Sequence, residues 1–116
     1  MFDNNALLYQ KIAKDICIDI INSNYMPGEK APSVREYAKI ARINPNTVQK
    51  AYNFLDDLQI FNTKEGSGRF ITDNQSRIEQ LKQDLLQSEL DNFFEVMEAS
   101  GISKEDILDS IKKRKL

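Results

Sequence analysis

Histidine and tryptophan are absent from the 116 residues, and cysteine occurs once, as Cys17. Without histidine there is no Ser-His-Asp triad, no Cys-His dyad and no Cys/His zinc site, and a lone thiol builds no disulfide framework. Carboxylates remain, but the adjacent pairs Asp56-Asp57 and Glu105-Asp106 lie in charged helical contexts. Neighbours on a helix point in different directions, so such pairs do not converge on a substrate, and the expectation is a protein that is not an enzyme. No apolar run approaches the ~20 residues that span a bilayer, and no charged-apolar-small signal segment opens the chain, which points to the cytoplasm.

What is present suits a small globular domain: 41% hydrophobic and 29% charged residues, far from disordered or membrane-like usage. A chain of this length buries only about two-thirds of its unfolded surface, so its core is modest and a second subunit would help it. The net charge of −2 is unevenly spread. From Lys30 to Lys50 the basic residues are Lys30, Arg35, Lys39, Arg42 and Lys50 against Glu36 alone, a local +4, whereas residues 73–116 carry −3. Binding follows the field over the contacting face rather than the overall charge.

Apolar periodicity predicts a first helix from about Ala6 to Asn22, with Leu8, Ile12, Ile16 and Ile20 on one stripe beside Tyr9, Ala13 and Cys17. Cys17 on that stripe reads as a buried thiol. Asn24 suits the left-handed residue that ends a helix, and Pro27-Gly28 then enforces a turn. Ser33 and Glu36 form a capping box for a short second helix whose Val34, Tyr37, Ala38 and Ala41 face a core. Asn44 caps a third helix with Pro45 at its first position, and Val48, Ala51, Tyr52 and Leu55 repeat the apolar template. The opposite face carries Asn46, Lys50 and Asn53, flanked by Thr47 and Gln49; each can hydrogen-bond and none is acidic. Two such helices joined by a three- to four-residue turn make a helix-turn-helix.

Two β-prone runs, residues 60–64 and 69–72, flank Gly66-Ser67-Gly68 and predict a hairpin. The expected fold is therefore mainly α with a small β-hairpin: a winged helix-turn-helix over residues 1–72, followed by a helical tail over 73–116. In the tail a long helix reaches about Ser100, Gly101 stops it, and Ser103 with Asp106 caps a last one ending in Lys112–Lys115. The long helix carries an apolar band from Ile78 through Leu86, Leu90, Phe93, Phe94 and Met97. Two helices cannot bury that band alone, so it packs on the winged domain, on a second subunit or on both. Phe93, Phe94 and Met97 read as core or dimer interface rather than as a ligand pocket.

Three stretches, 27–36 (Pro-Gly-Glu-Lys-Ala-Pro-Ser-Val-Arg-Glu), 43–52 (Ile-Asn-Pro-Asn-Thr-Val-Gln-Lys-Ala-Tyr) and 66–71 (Gly-Ser-Gly-Arg-Phe-Ile), resemble in order and spacing the GntR family of bacterial transcription regulators. The resemblance covers about Leu8 to Thr72. The short tail, with Gly101 to Ile107, is similar to the YtrA-type branch, which lacks a large effector domain, dimerises through its tail helices and commonly represses neighbouring transporter genes.

The resemblance implies a homodimeric, sequence-specific regulator, a repressor, bound to a pseudo-palindromic operator on double-stranded DNA. It places Ser33 and Arg35 at phosphates and a base edge, Asn46, Thr47 and Lys50 in the major groove, and Gly66 and Gly68 at the wing tip. The family favours glycine at Gln59 and leucine at Ala31 and Tyr37, differences expected to affect packing. It also places a basic residue between the wing glycines, where Ser67 stands here, leaving Arg69 or Lys64 to supply that contact. No nucleotide, metal or cofactor motif is present; a small-molecule effector would sit at the dimer seam without a sequence signature. The rival expectation is a winged module that binds protein rather than DNA, favoured by the acidic balance and the altered wing tip.

Overall fold

The structure, a computed structural model, describes residues 7–115. Its elements are α1 (Leu8–Ile21), α2 (Val34–Ala41), α3 (Pro45–Asp57), β1 (Phe61–Lys64), β2 (Gly68–Ile71), α4 (Gln75–Ala99) and α5 (Lys104–Lys113). Ala6, the expected start of the first helix, lies outside the described residues.

Local chemistry sets the helix boundaries. The side chains of Ser33, Asn44, Asn74 and Ser103 each accept a first-turn backbone N–H and so start α2, α3, α4 and α5. The helix ends share a second device. Arg42 (φ 57°), Gln59 (φ 59°) and Gly101 (φ 72°) are left-handed. After each, an isoleucine N–H donates to the carbonyl five residues back: Ile43 to Ala38, Ile60 to Leu55 and Ile102 to Met97, each at 3.0 Å. Glycine accepts this turn freely, whereas Arg42 and Gln59 are held in it at a cost of about 1–2 kcal/mol each. At the end of α1 the positive φ falls on Ser23 (67°), not on Asn24. Asn24 instead donates from its side-chain amide to the Asp19 carboxylate at 3.0 Å, which binds it back to the helix.

β1 and β2 pair antiparallel, with Phe61 opposite Ile71 and Lys64 opposite Gly68. Residues 28–31 run along the other edge of β2. Ala31 N–H donates to the Arg69 carbonyl (2.9 Å) and Ile71 N–H to the Glu29 carbonyl (2.8 Å). This isolated antiparallel bridge, with Lys30 opposite Phe70, ties the approach to α2 onto the two-stranded hairpin.

The core forms where α1 crosses α3 and the hairpin closes over them, around Ile16, Val48, Tyr52, Leu55, Ile60 and Ile71. Leu8 is 57% exposed at the first turn of α1, and Ala41 is exposed at the last residue of α2, so the inward stripes of both helices are shorter than their periodicity suggests. The core continues past Thr72: Leu81 of α4 is fully buried in it, with Ile78 and Leu85 packed alongside. Beyond Leu85 the helix is tied to α1 by an ion pair between Glu89 and Lys14, and then projects from the domain. The radius of gyration is 16.8 Å, against about 13 Å for a compact chain of this length. α5 folds back on the end of α4 by burying Ile107, and an open apolar groove of about 670 Å³ lies between them, lined by Phe94, Ile102 and Leu108 among others.

Candidate nucleic-acid interface

Three segments make up the candidate site: the start of α2, the exposed face of α3, and the hairpin. Tyr52 joins them from below. It is 1% exposed; its hydroxyl donates to the Pro32 carbonyl (2.8 Å), and its ring meets Tyr37 of α2 and Phe61 of β1 edge-on, with centroids at 6.1 and 4.9 Å. Burial pushes the Tyr52 phenol far above its ordinary range, so it remains a donor to Pro32. Sequence spacing marks Tyr52 only as an apolar-face residue, because the Pro32 bond joins positions 20 residues apart.

At the start of α2, Glu36 N–H donates to Ser33 Oγ (3.1 Å) and Ser33 N–H donates to the Glu36 carboxylate (3.2 Å), the expected capping box. Those hydrogen bonds from Ser33, backbone first, hold the Glu36 carboxyl below its usual range. Its charge is thus directed at the cap, and Arg35 beside it is exposed. Among the described residues neither Arg35 nor Lys50 makes an ion pair.

On α3, Asn46 N–H donates to the capping Asn44 side chain at 2.8 Å, and Pro45 occupies the first turn. With Val48, Ala51, Tyr52 and Leu55 buried, Asn46, Gln49, Lys50 and Asn53 are left exposed and Thr47 half-buried. Gln49 Nε2 donates to Asn53 Oδ1 at 2.9 Å. Lys50 stands on the flank of α3 that faces α1, where it and Asn53 border a shallow depression with Tyr9.

The hairpin tip turns on Gly66 (φ 76°) and Gly68 (φ 94°). Gly66, Gly68 and Arg69 line one cleft of about 290 Å³ together with Ser33, Lys30 and Tyr52, so the wing and the start of α2 are side by side. The two basic candidates of the wing differ. Lys64 is exposed and lies over the Phe70 ring at 4.5 Å. Arg69 is turned onto α3, where it pairs with Asp56 (Nη2–Oδ2 3.0 Å) and has its guanidinium 5.3 Å from the Tyr52 ring centroid. This ion pair spans 13 residues between separate elements, and no sequence periodicity signals it. Among the described residues no group of three or more His, Cys, Asp or Glu side chains is placed to hold a metal ion, and no helix is long and apolar enough to cross a membrane.

Two capped helices at a three-residue turn, an uncharged-to-basic polar face on the second, and a hairpin beside the first define a winged helix-turn-helix of the DNA-binding type. The comparisons with known proteins agree. The bacterial regulatory proteins of the gntR family match residues 8–71, and the chain belongs to that family. It is 35% identical over 111 residues to the uncharacterized HTH-type transcriptional regulator YhcF of Bacillus subtilis (strain 168), covering 96% of this chain and 92% of that protein. It is 43% identical over 70 residues to the HTH-type transcriptional repressor YtrA of the same organism, covering 58% of this chain and 52% of YtrA. Among solved structures, a GntR family transcriptional regulator from Listeria monocytogenes superposes with a TM-score of 0.83 at 37% identity, over 98% of this chain and 100% of that one. The protein is thus a GntR-family transcriptional regulator with a helix-turn-helix, from a family of regulators rather than enzymes.

Proposed function

We propose that this regulator binds a pseudo-palindromic operator as a homodimer and represses transcription, acting in the cytoplasm where the chromosome is reached. The carrying observation is the exposed face of α3: Asn46, Gln49, Lys50 and Asn53 are hydrogen-bonding side chains without a carboxylate among them, on a helix whose other face is buried in the core. A helix so presented enters a major groove, and two of them on a dimer read half-sites ~34 Å apart or a multiple of it. Arg35 and Lys50, which make no ion pair among the described residues, supply phosphate attraction, the forked guanidinium of Arg35 also fits a guanine edge, and Asn46 and Thr47 set base preference. Ser33, Gly66 and Gly68 bring backbone and hydroxyl groups to the phosphates, and Lys64 is the exposed cation of the wing. The sign of regulation follows the likeness to YtrA, a repressor by name.

The test is selection of bound duplexes from a randomised pool, with the Arg35→Ala/Lys50→Ala protein in parallel. An enriched inverted repeat that the double variant fails to recover is the expected result, and Arg35→Ala alone lowers affinity for that repeat by about 1–3 kcal/mol. Binding through several phosphates also weakens steeply with salt. No enrichment at low salt overturns the DNA reading in favour of a protein-binding module, the alternative to which Glu65 at the wing tip and the acidic tail conform.

A further inference from the structure

Arg69 is held on three sides. Its Nε lies 3.1 and 3.0 Å from the two Asp56 oxygens, its Nη2 3.0 Å from Asp56 Oδ2 and 3.4 Å from Asn53 Oδ1, and its guanidinium lies over the Tyr52 ring. Its side chain is only 24% exposed. Swinging it out to a phosphate would leave Asp56 unpaired next to a polyanion, so the pair holds Arg69 against α3.

The consequence lies one residue further on. Asn53 Oδ1 accepts from Arg69 Nη2 and also from Gln49 Nε2. An amide oxygen has two lone pairs, and both are engaged. Flipping the Asn53 amide would set its NH2 against a guanidinium and a second NH2, so Arg69 fixes which way the amide faces. Asn53 then offers only N–H donors outward. Gln49, with its nitrogen turned to Asn53, offers its oxygen as an acceptor.

We propose that Arg69 is a positioning residue for base recognition: clamped by Asp56, it locks the Asn53 and Gln49 amides into a donor–acceptor pair on α3, so that the wing sets which bases the helix distinguishes. This rests on the DNA-binding reading above. The pair favours a base edge with an acceptor facing Asn53 (guanine O6 or N7, thymine O4) beside one with an exocyclic amine facing Gln49 (adenine N6, cytosine N4). Freed of Arg69, both amides rotate and accept either edge.

The test uses the full chain and the duplex it selects, with each base pair substituted in turn and binding followed across a salt series. In Arg69→Met protein, discrimination is expected to relax about tenfold at one or two base pairs of each half-site, the same ones that Asn53→Ala relaxes. The slope of log K against log salt stays as in the parent. Arg69→Lys relaxes the same pairs, because an ammonium lacks the fork. Asp56→Asn, which keeps the shape of the clamp, relaxes them too and serves if Arg69→Met does not fold. A uniform loss over all duplexes with a slope shallower by about one shows Arg69 on a phosphate and overturns the proposal. Full discrimination in folded Arg69→Met, or rescue by lysine, overturns it as well. A parent chain that selects no duplex overturns the DNA reading itself, and that is seen before any variant is made.

Discussion

Cys17 lies fully buried on α1, and burial pushes its thiol from 9.0 up to about 12. The Tyr25, Tyr37 and Tyr52 phenols are raised as well, each chiefly by burial. All four groups are neutral when protonated and lose their proton more readily in the unfolded chain. Their contribution to stability is therefore fully present below the unfolded values and is lost as pH rises towards the folded ones. The unfolding free energy from urea titrations is expected to hold from pH ~7 to ~9 and then to fall, by up to about 1.4 kcal/mol per pH unit for each of the buried Cys17 and Tyr52 as it ionises only on unfolding, and by less for the half-buried Tyr25 and Tyr37, which solvent screens. An unfolding free energy constant to pH ~10.5 would show that the thiol and phenols ionise in place. Gln59 offers a second test at the same scale. Its φ of 59° ends α3, and its side chain is exposed. Gln59→Gly relieves the left-handed strain while adding freedom to the unfolded chain, for a net stabilisation of about 0.5–1 kcal/mol by urea unfolding. The family's preference for glycine at this position thus has a backbone cause rather than the packing cause expected from sequence.

Helix starts were the most legible elements because one side chain decides each of them. Ser33, Asn44 and Ser103 cap α2, α3 and α5 where the sequence places them, and the Gly66–Gly68 hairpin follows from its turn residues. Contacts between elements were not legible. The pairing of residues 28–31 with β2, the Tyr52–Pro32 bond and the Arg69–Asp56 pair depend on the tertiary path, and no local spacing encodes them. Of the candidate site, the polar face of α3 was readable because burial of Val48, Tyr52 and Leu55 fixes its opposite. The orientation of Arg69 was not. Ser33 carries two roles that substitutions can separate. Ser33→Ala removes the capping oxygen and is expected to cost about 1 kcal/mol of stability. Ser33→Asp keeps a capping oxygen but sets a carboxylate where the proposed phosphate lies. Near-parental thermal stability with lost duplex binding is the expected outcome, and retained binding would remove Ser33 from the interface.

The whole molecule exposes 8205 Å², whereas a folded monomer of its mass exposes about 6,500 Å². The projecting tail contributes apolar surface to this total, with Leu86, Leu90, Phe93 and Phe94 each 40–49% exposed. A specific interface buries about 800 Å² on each partner, so the tail has surface enough for a second copy of itself. The winged core ends with Leu85, packed beside the buried Leu81, ahead of Leu90 and Phe94, so changing those two need not disturb it. If the proposed homodimer forms through this surface, the parent is expected to sediment at twice 13.4 kDa at micromolar concentration and Leu90→Asp/Phe94→Asp at 13.4 kDa, with an unfolding midpoint independent of concentration in the variant alone. Its affinity for a single half-site stays near the parental value, since α3 is untouched. Affinity for the inverted repeat falls by ~10²–10⁴, because the second half-site is no longer delivered at the high effective concentration that a linked subunit provides. A folded double variant that still sediments as a dimer would place the contact elsewhere on the chain. If it were monomeric and lost half-site binding equally, the tail would be acting through the winged domain rather than by joining two of them.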